Sequence, residues 1–114
     1  MNHHTSPEVA RMLELSARLR DSRRVRQLAK ASNDPEALRA VAGEAAHALV
    51  DIQRSCDVLC AQLVPKLTLV PPNSQDFEDV LDAIAEEFRH IHYHIVNTRL
   101  FNYAASGRDM GTAG

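Results

Sequence analysis

Apolar residues recur at intervals of three and four along three stretches of this chain, and short polar or proline-rich breaks separate them. The cleanest stretch is Leu38, Val41, Ala42, Ala45, Leu49, Ile52, Cys56, Leu59, Cys60 and Leu63, which fills an arc of about 100° on a helical wheel. It predicts a helix from Pro35 to Val64, stopped by Pro65. Ala42 and Ala45 make the first half of this face small, so another helix can approach closely. A second stripe, Phe77, Val80, Leu81, Ile84, Phe88, Ile91 and Ile95, predicts a helix from Gln75 to about Ala105. Beyond Phe88 the pattern broadens: His92, Val96 and Tyr103 lie beside the stripe, and Tyr93, Leu100 and Phe101 point away from it. A helix apolar most of the way round is buried on more than one side.

An earlier helix starts at Thr5 or Ser6, with Pro7 in its first turn and Glu8 placed for a capping box. Its stripe, Val9, Met12, Leu13, Leu15 and Leu19, is ragged. Asp21-Ser22 weakens it enough for a kink or an early end before Val25 and Leu28 resume the pattern. Asn33-Asp34-Pro35 is a stop followed by a new start, capped by Asn33 or Asp34. Pro65 to Pro72 reads as an extended hinge whose Leu67, Leu69 and Val70 cover a helix end, and Asn73 or Ser74 caps the last helix. The expected fold is therefore all-α. Three main helices form one domain over residues 1–114, with the second and third in a long antiparallel hairpin and the first packed along it. Residues 1–5 and 107–114 are expected to be flexible. Two helices of about thirty residues would each reach roughly 45 Å, against a radius of gyration of about 13 Å for a globule of this length. One copy cannot cover them, so a dimeric bundle is expected.

Composition changes this picture little. Three Phe, two Tyr and no Trp favour helix over sheet. No apolar run is long enough for a membrane span, no secretory leader is visible in Met1 to Pro7, and a cytoplasmic location is expected. Charge is near balance at a formal −2 but uneven. Arg11, Arg18, Arg20, Arg23, Arg24, Arg26 and Lys30 crowd the first thirty residues, while Asp76, Glu78, Asp79, Asp82, Glu86 and Glu87 form an acidic block. Arg20, Arg23, Arg24 and Arg26 are candidate electrostatic contacts, and with exposed pairs contributing only about 0–1 kcal/mol each the plainer reading is two solvated faces.

Candidate chemistry is sparse. Glu44-x-x-His47 and Glu87-x-x-His90 match the spacing of helical di-iron proteins, but His47 and Glu44 point away from the apolar face of their helix, and His90 and Glu87 sit off the main stripe of theirs. His90 and His94, four apart, offer a surface chelating pair, but the plainer reading is polar interface or edge residues, and no metal ligand is expected. If His90, His92 and His94 lie in an interface, protonation near pH 6 would weaken association. Cys56 and Cys60 read as small buried core residues; a disulfide between them would strain a helix. No glycine-rich loop or nucleophile elbow is present, so neither an enzyme nor a cofactor is expected. The basic stretch Arg18 to Arg26 lacks a following zipper, and direct nucleic-acid binding is not expected.

Four stretches carry a resemblance: Thr5-Ser6-Pro7-Glu8; His47-Ala48-Leu49-Val50-Asp51-Ile52-Gln53; Val70-Pro71-Pro72-Asn73-Ser74; and Glu86-Glu87-Phe88-Arg89-His90-Ile91-His92-Tyr93-His94. In these, and in length, the chain resembles the QslA-like quorum-sensing antiactivators. The resemblance implies a helical homodimer that binds the ligand-binding domain of a LuxR-type regulator and masks its dimerisation surface, without touching DNA. The helical wheel supplies the candidate contact groups: His92, Tyr93, Val96, Leu100, Phe101 and Tyr103, with Ile52, Cys56 and Leu59 for pairing. Two alternatives remain from the residues themselves: a metal-binding helical bundle using His90 and His94, or a nucleic-acid accessory protein using the basic first helix.

Overall fold

Side-chain caps set most of the helix boundaries. The computed structural model describes residues 6–32 and 34–102. Ser6 accepts a hydrogen bond from the Val9 N–H at 3.1 Å and opens α1, Pro7–Arg20, with Pro7 at its start and Glu8 in the first turn. Ser22 accepts from the Val25 N–H at 3.4 Å and opens α2, Arg23–Ala31. The break at Asp21-Ser22 is thus a full stop and restart, because a serine that caps the next helix cannot also continue the previous one. Arg26 fastens the corner, its Nε donating to the Arg20 carbonyl at 3.1 Å and its guanidinium reaching Asp21 at 3.3 Å. Asp34 accepts from the Glu36 N–H at 2.9 Å just before α3, Ala37–Val58. Ser74 accepts from the Phe77 N–H at 3.2 Å at the start of α5, Gln75–Val96.

Two expected boundaries move. Pro65 does not end the second long helix. The chain passes from α3 into a π-helical turn, Leu59–Leu63, and then into α4, Val64–Leu67. The Val64 N–H reaches back five residues to the Leu59 carbonyl. A π turn holds one extra residue, which widens the backbone where a proline ring would otherwise meet the preceding turn and leaves no i→i−4 bond for the missing N–H to break. The last helix, in turn, does not run to Ala105. α5 stops at Val96, and a new helical turn follows over 99–102. The Asn102 side-chain amide donates to the Val96 carbonyl at 2.9 Å, closing the end of α5. Asn and Thr at 97 and 98 favour such breaks because their side chains compete with the helical backbone. Ala105 and both expected flexible ends lie outside the described residues. The hinge is not extended either: Thr68 and Ser74 hydroxyls donate to the Pro65 and Pro71 carbonyls, each at 2.7 Å. Leu67 and Val70 are half-buried there, while Leu69 is exposed.

Every described element is helical and no strand is found among the described residues, so the all-α expectation holds in a finer division than three helices. None of the described helices is long and apolar enough to cross a membrane.

The chain divides into two compact units: residues 1–50 with 95–114, and residues 51–94. The first has an apolar centre of Val25, Val41 and Ala42, with Leu19, Leu28, Leu38 and Leu100 packed round it. Ala45, Ala46, Ala48 and Val50 extend it along α3, all buried. Alanine on several sides of a helix lets backbones approach closely while losing no side-chain entropy. Arg99 and Glu44 pair at 3.1 Å within this unit. α1 itself has no buried residue. The second unit is an antiparallel pair made of the end of α3, the π turn and α4 on one side and α5 on the other: Asp51 meets His94, and Ser55 meets His90. Its buried residues are Ser55, Leu59, Val80 and His94.

Candidate functional site

Half of the inward surface of the second unit is polar. On α5, Val80 and His94 are buried and Ala83, Glu87 and His90 are half-buried, which places the inward direction along 80, 83, 87, 90 and 94. The apolar stripe predicted from sequence is turned roughly 90° from it, at about 100° per residue. Ile84 and Ile91 share an edge with the inward face and are half-buried. Leu81, Phe88 and Ile95 form the other edge and are exposed at 40%, 58% and 45%.

The inward face gathers three metal-ligating side chains. One ligand atom from each of Asp51, His90 and His94 lies within 4.8 Å of those from the other two. His94 Nε2 stands 3.2 Å from Asp51 Oδ2 and 3.1 Å from His90 Nε2. The two imidazoles meet edge to face, with centroids 4.6 Å apart. His90 presents its other nitrogen, Nδ1, to the Ser55 hydroxyl at 2.8 Å, and Ser55 is 2% exposed. Asp51 turns its second oxygen to Arg54 at 3.7 Å, one turn along α3. Tyr93 stands edge-on to His94 at 5.5 Å. His94 is 9% exposed. The expected surface pair is therefore a mostly covered cluster, and the reason is the rotated inward face: a histidine off the apolar stripe is here on the buried side. The sequence reading missed Asp51 and Ser55. Asp51 falls four residues before Ser55 on α3, matching the four-residue step from His90 to His94 on α5, and that shared step across an antiparallel pair is the signal that was available.

The other predicted residues scatter. His92, Tyr93 and Val96 are exposed on α5, Phe101 is half-buried, and Leu100 packs on the core of the first unit. Ile52 is half-buried, and Leu59 is buried within the second unit. Tyr103 lies outside the described residues. Cys56 and Cys60 are not core residues: both are free thiols and exposed, because the inward face of α3 at this level runs through Ser55 and Leu59. Arg23, Arg24 and Arg26 are exposed on α2, and Arg20 is half-buried at the end of α1. Glu44 is engaged with Arg99 and His47 is exposed, so the first Glu-x-x-His pair does not converge on the cluster.

No family model, curated protein or solved structure matches this chain.

Proposed function

We propose that this protein is a non-enzymatic cytoplasmic regulator that works by helical association. The supporting observation is the exposed row Leu81, Phe88 and Ile95 on α5. With Phe77, Ile84 and Ile91 the row has intervals alternating four and three, the spacing that seats one helix against another in a coiled-coil seam. Its occupant in the free protein is a second copy, since a face with this register pairs with itself about a twofold axis. Burying one large apolar side chain contributes about 1.5–3 kcal/mol, so such a row on each of two copies supports a dimer.

The same face suits an inhibitor. A helix that can seat against its own copy can also occupy a helical dimerisation surface on another protein. The resemblance to quorum-sensing antiactivators names the class of partner: the ligand-binding domain of a LuxR-type regulator, which loses its grip on two half-sites once its own dimer is prevented. Exposed His92 and Val96 flank the row and extend the contact, while exposed Tyr93, on a different side of α5, is a separate candidate contact.

Sedimentation equilibrium of the full chain tests this reading. The wild type is expected to be a dimer at micromolar concentration and Phe88→Glu a monomer with unchanged helical circular dichroism. The variant should also lose binding to the ligand-binding domain. A wild type that stays monomeric at about a hundred times that concentration, or a Phe88→Glu variant that still dimerises, sinks the self-pairing.

A further inference from the structure

Where Asp51, His90 and His94 meet, one ring nitrogen faces two other ligand atoms. A neutral imidazole carries one N–H, and a carboxylate carries none. His94 Nε2 faces two atoms, Asp51 Oδ2 at 3.2 Å and His90 Nε2 at 3.1 Å, and one hydrogen on it cannot point at both. If His94 donates to Asp51, the His90 Nε2 lone pair is left facing a nitrogen without a hydrogen for it. If His90 donates to His94, the His94 lone pair faces a carboxylate oxygen. A cation between the three atoms satisfies all of them at once.

The spacing agrees. Nitrogen and oxygen ligands held about 2.0–2.2 Å from one ion, at tetrahedral or octahedral angles, sit roughly 2.8–3.6 Å apart. The two separations made by His94 fall in that range, and the ligand atoms of Asp51 and His90 lie within 4.8 Å of each other. The surroundings agree as well. Ser55, 2% exposed, can accept the His90 Nδ1–H, which leaves the Nε2 lone pair directed at the cluster. Arg54 holds the outer oxygen of Asp51 and leaves the inner one for coordination. Two imidazoles and one carboxylate suit a divalent transition metal better than calcium or magnesium, which prefer all-oxygen sets.

We infer that Asp51, His90 and His94 are the protein ligands of a single divalent transition-metal ion, zinc(II) being the reference occupant, held between α3 and α5 of the second unit. Three protein ligands leave a fourth position for solvent. The ion ties the two helices where their facing surfaces are polar, so that its binding stabilises the hairpin. This site is independent of the exposed α5 row, and its fate and that of the association reading separate experimentally.

The test is calorimetric titration of untagged, chelator-stripped full chain with zinc chloride, backed by visible absorption with cobalt(II). One ion per chain is expected, and Asp51→Asn, His90→Gln and His94→Gln should each weaken binding at least about tenfold. Ser55→Ala should weaken it by about tenfold through loss of the imidazole's orientation. His47→Gln and His92→Gln should have no effect. Should His94→Gln lose its helical circular dichroism, His94→Cys keeps a ligand atom and should add a thiolate-to-cobalt charge-transfer band. The inference is overturned by absence of stoichiometric uptake, by undiminished binding in the Asp51→Asn variant, by a His94→Cys protein without that band, or by uptake that vanishes on replacing His3 and His4 alone.

Discussion

The first unit has an interior mainly of valine and alanine, with Thr98 the one buried polar residue among its described residues, whereas the second puts a serine and a histidine inside and leaves Leu81 and Phe88 on the outer face of α5. Both are built from the same two long amphipathic stretches. The difference shows that amphipathicity fixes which residues share a face but not which face turns inward. In the first unit several helical segments enclose α3, and burial follows apolarity. In the second unit two helical arms face each other, and the surfaces in contact are chosen by a hydrogen-bonded polar cluster as much as by Leu59 and Val80. A pair of helices cannot cover all its apolar surface, and the remainder is what the association reading uses.

The contrast can be broken most forcefully at Val41, 1% exposed in the centre of the first unit. Val41→Asp puts an unpaired carboxylate there and should cost about 4 kcal/mol or more, seen as loss of the cooperative thermal transition. A near-normal melting curve would mean that the apolar centre is not what holds this unit. In the second unit, Ser55→Ala removes the partner of His90 and should cost about 1–2 kcal/mol. Residue-resolved hydrogen exchange should place that loss in residues 51–94 and spare the first unit; uniform loss would show that the two do not open separately. Gly43 lies inside α3 with nothing within 4 Å of where a Cβ would stand. Gly43→Ala should therefore stabilise the first unit by about 0.5–1 kcal/mol in urea unfolding, and destabilisation would reveal a contact made by another copy. The smallest effect on the monomer is expected at Phe88: Phe88→Gln should leave the stability of dilute protein within about 0.5 kcal/mol of wild type. A larger loss would mean that this ring is covered within a single chain.

Much of the architecture was legible. Ser6 and Ser74 were among the expected caps, while Ser22 was read only as a weak point in the stripe and not as the cap it forms; the periodicity located the two longest helices to within a few residues at their starts. Their ends were harder to read. Proline's effect on a helix depends on whether the preceding turn can widen, and nothing in Leu59 to Leu63 advertises a π turn. The stop at Val96 depends on an amide six residues onward, which only the fold brings back. The site was half visible: His90 and His94 stood out by spacing, but their role turned on the direction of α5. A helical wheel assumes that the apolar centre points inward, and that assumption hid Asp51 and misplaced Cys56 and Cys60.

The widened turn before Pro65 also has a consequence for the numbering of the chain itself. Between Val58 and Val64 the backbone stores one residue more than a uniform α-helix would take, so everything after it is dephased by about a third of a revolution. A one-residue deletion in that stretch, combined with Pro65→Ala, should hand the surplus back and keep Leu67 and the following loop in place, whereas the same deletion in α3 would throw every later side chain onto the wrong side. Natural length variation, where it occurs, has a tolerated address here.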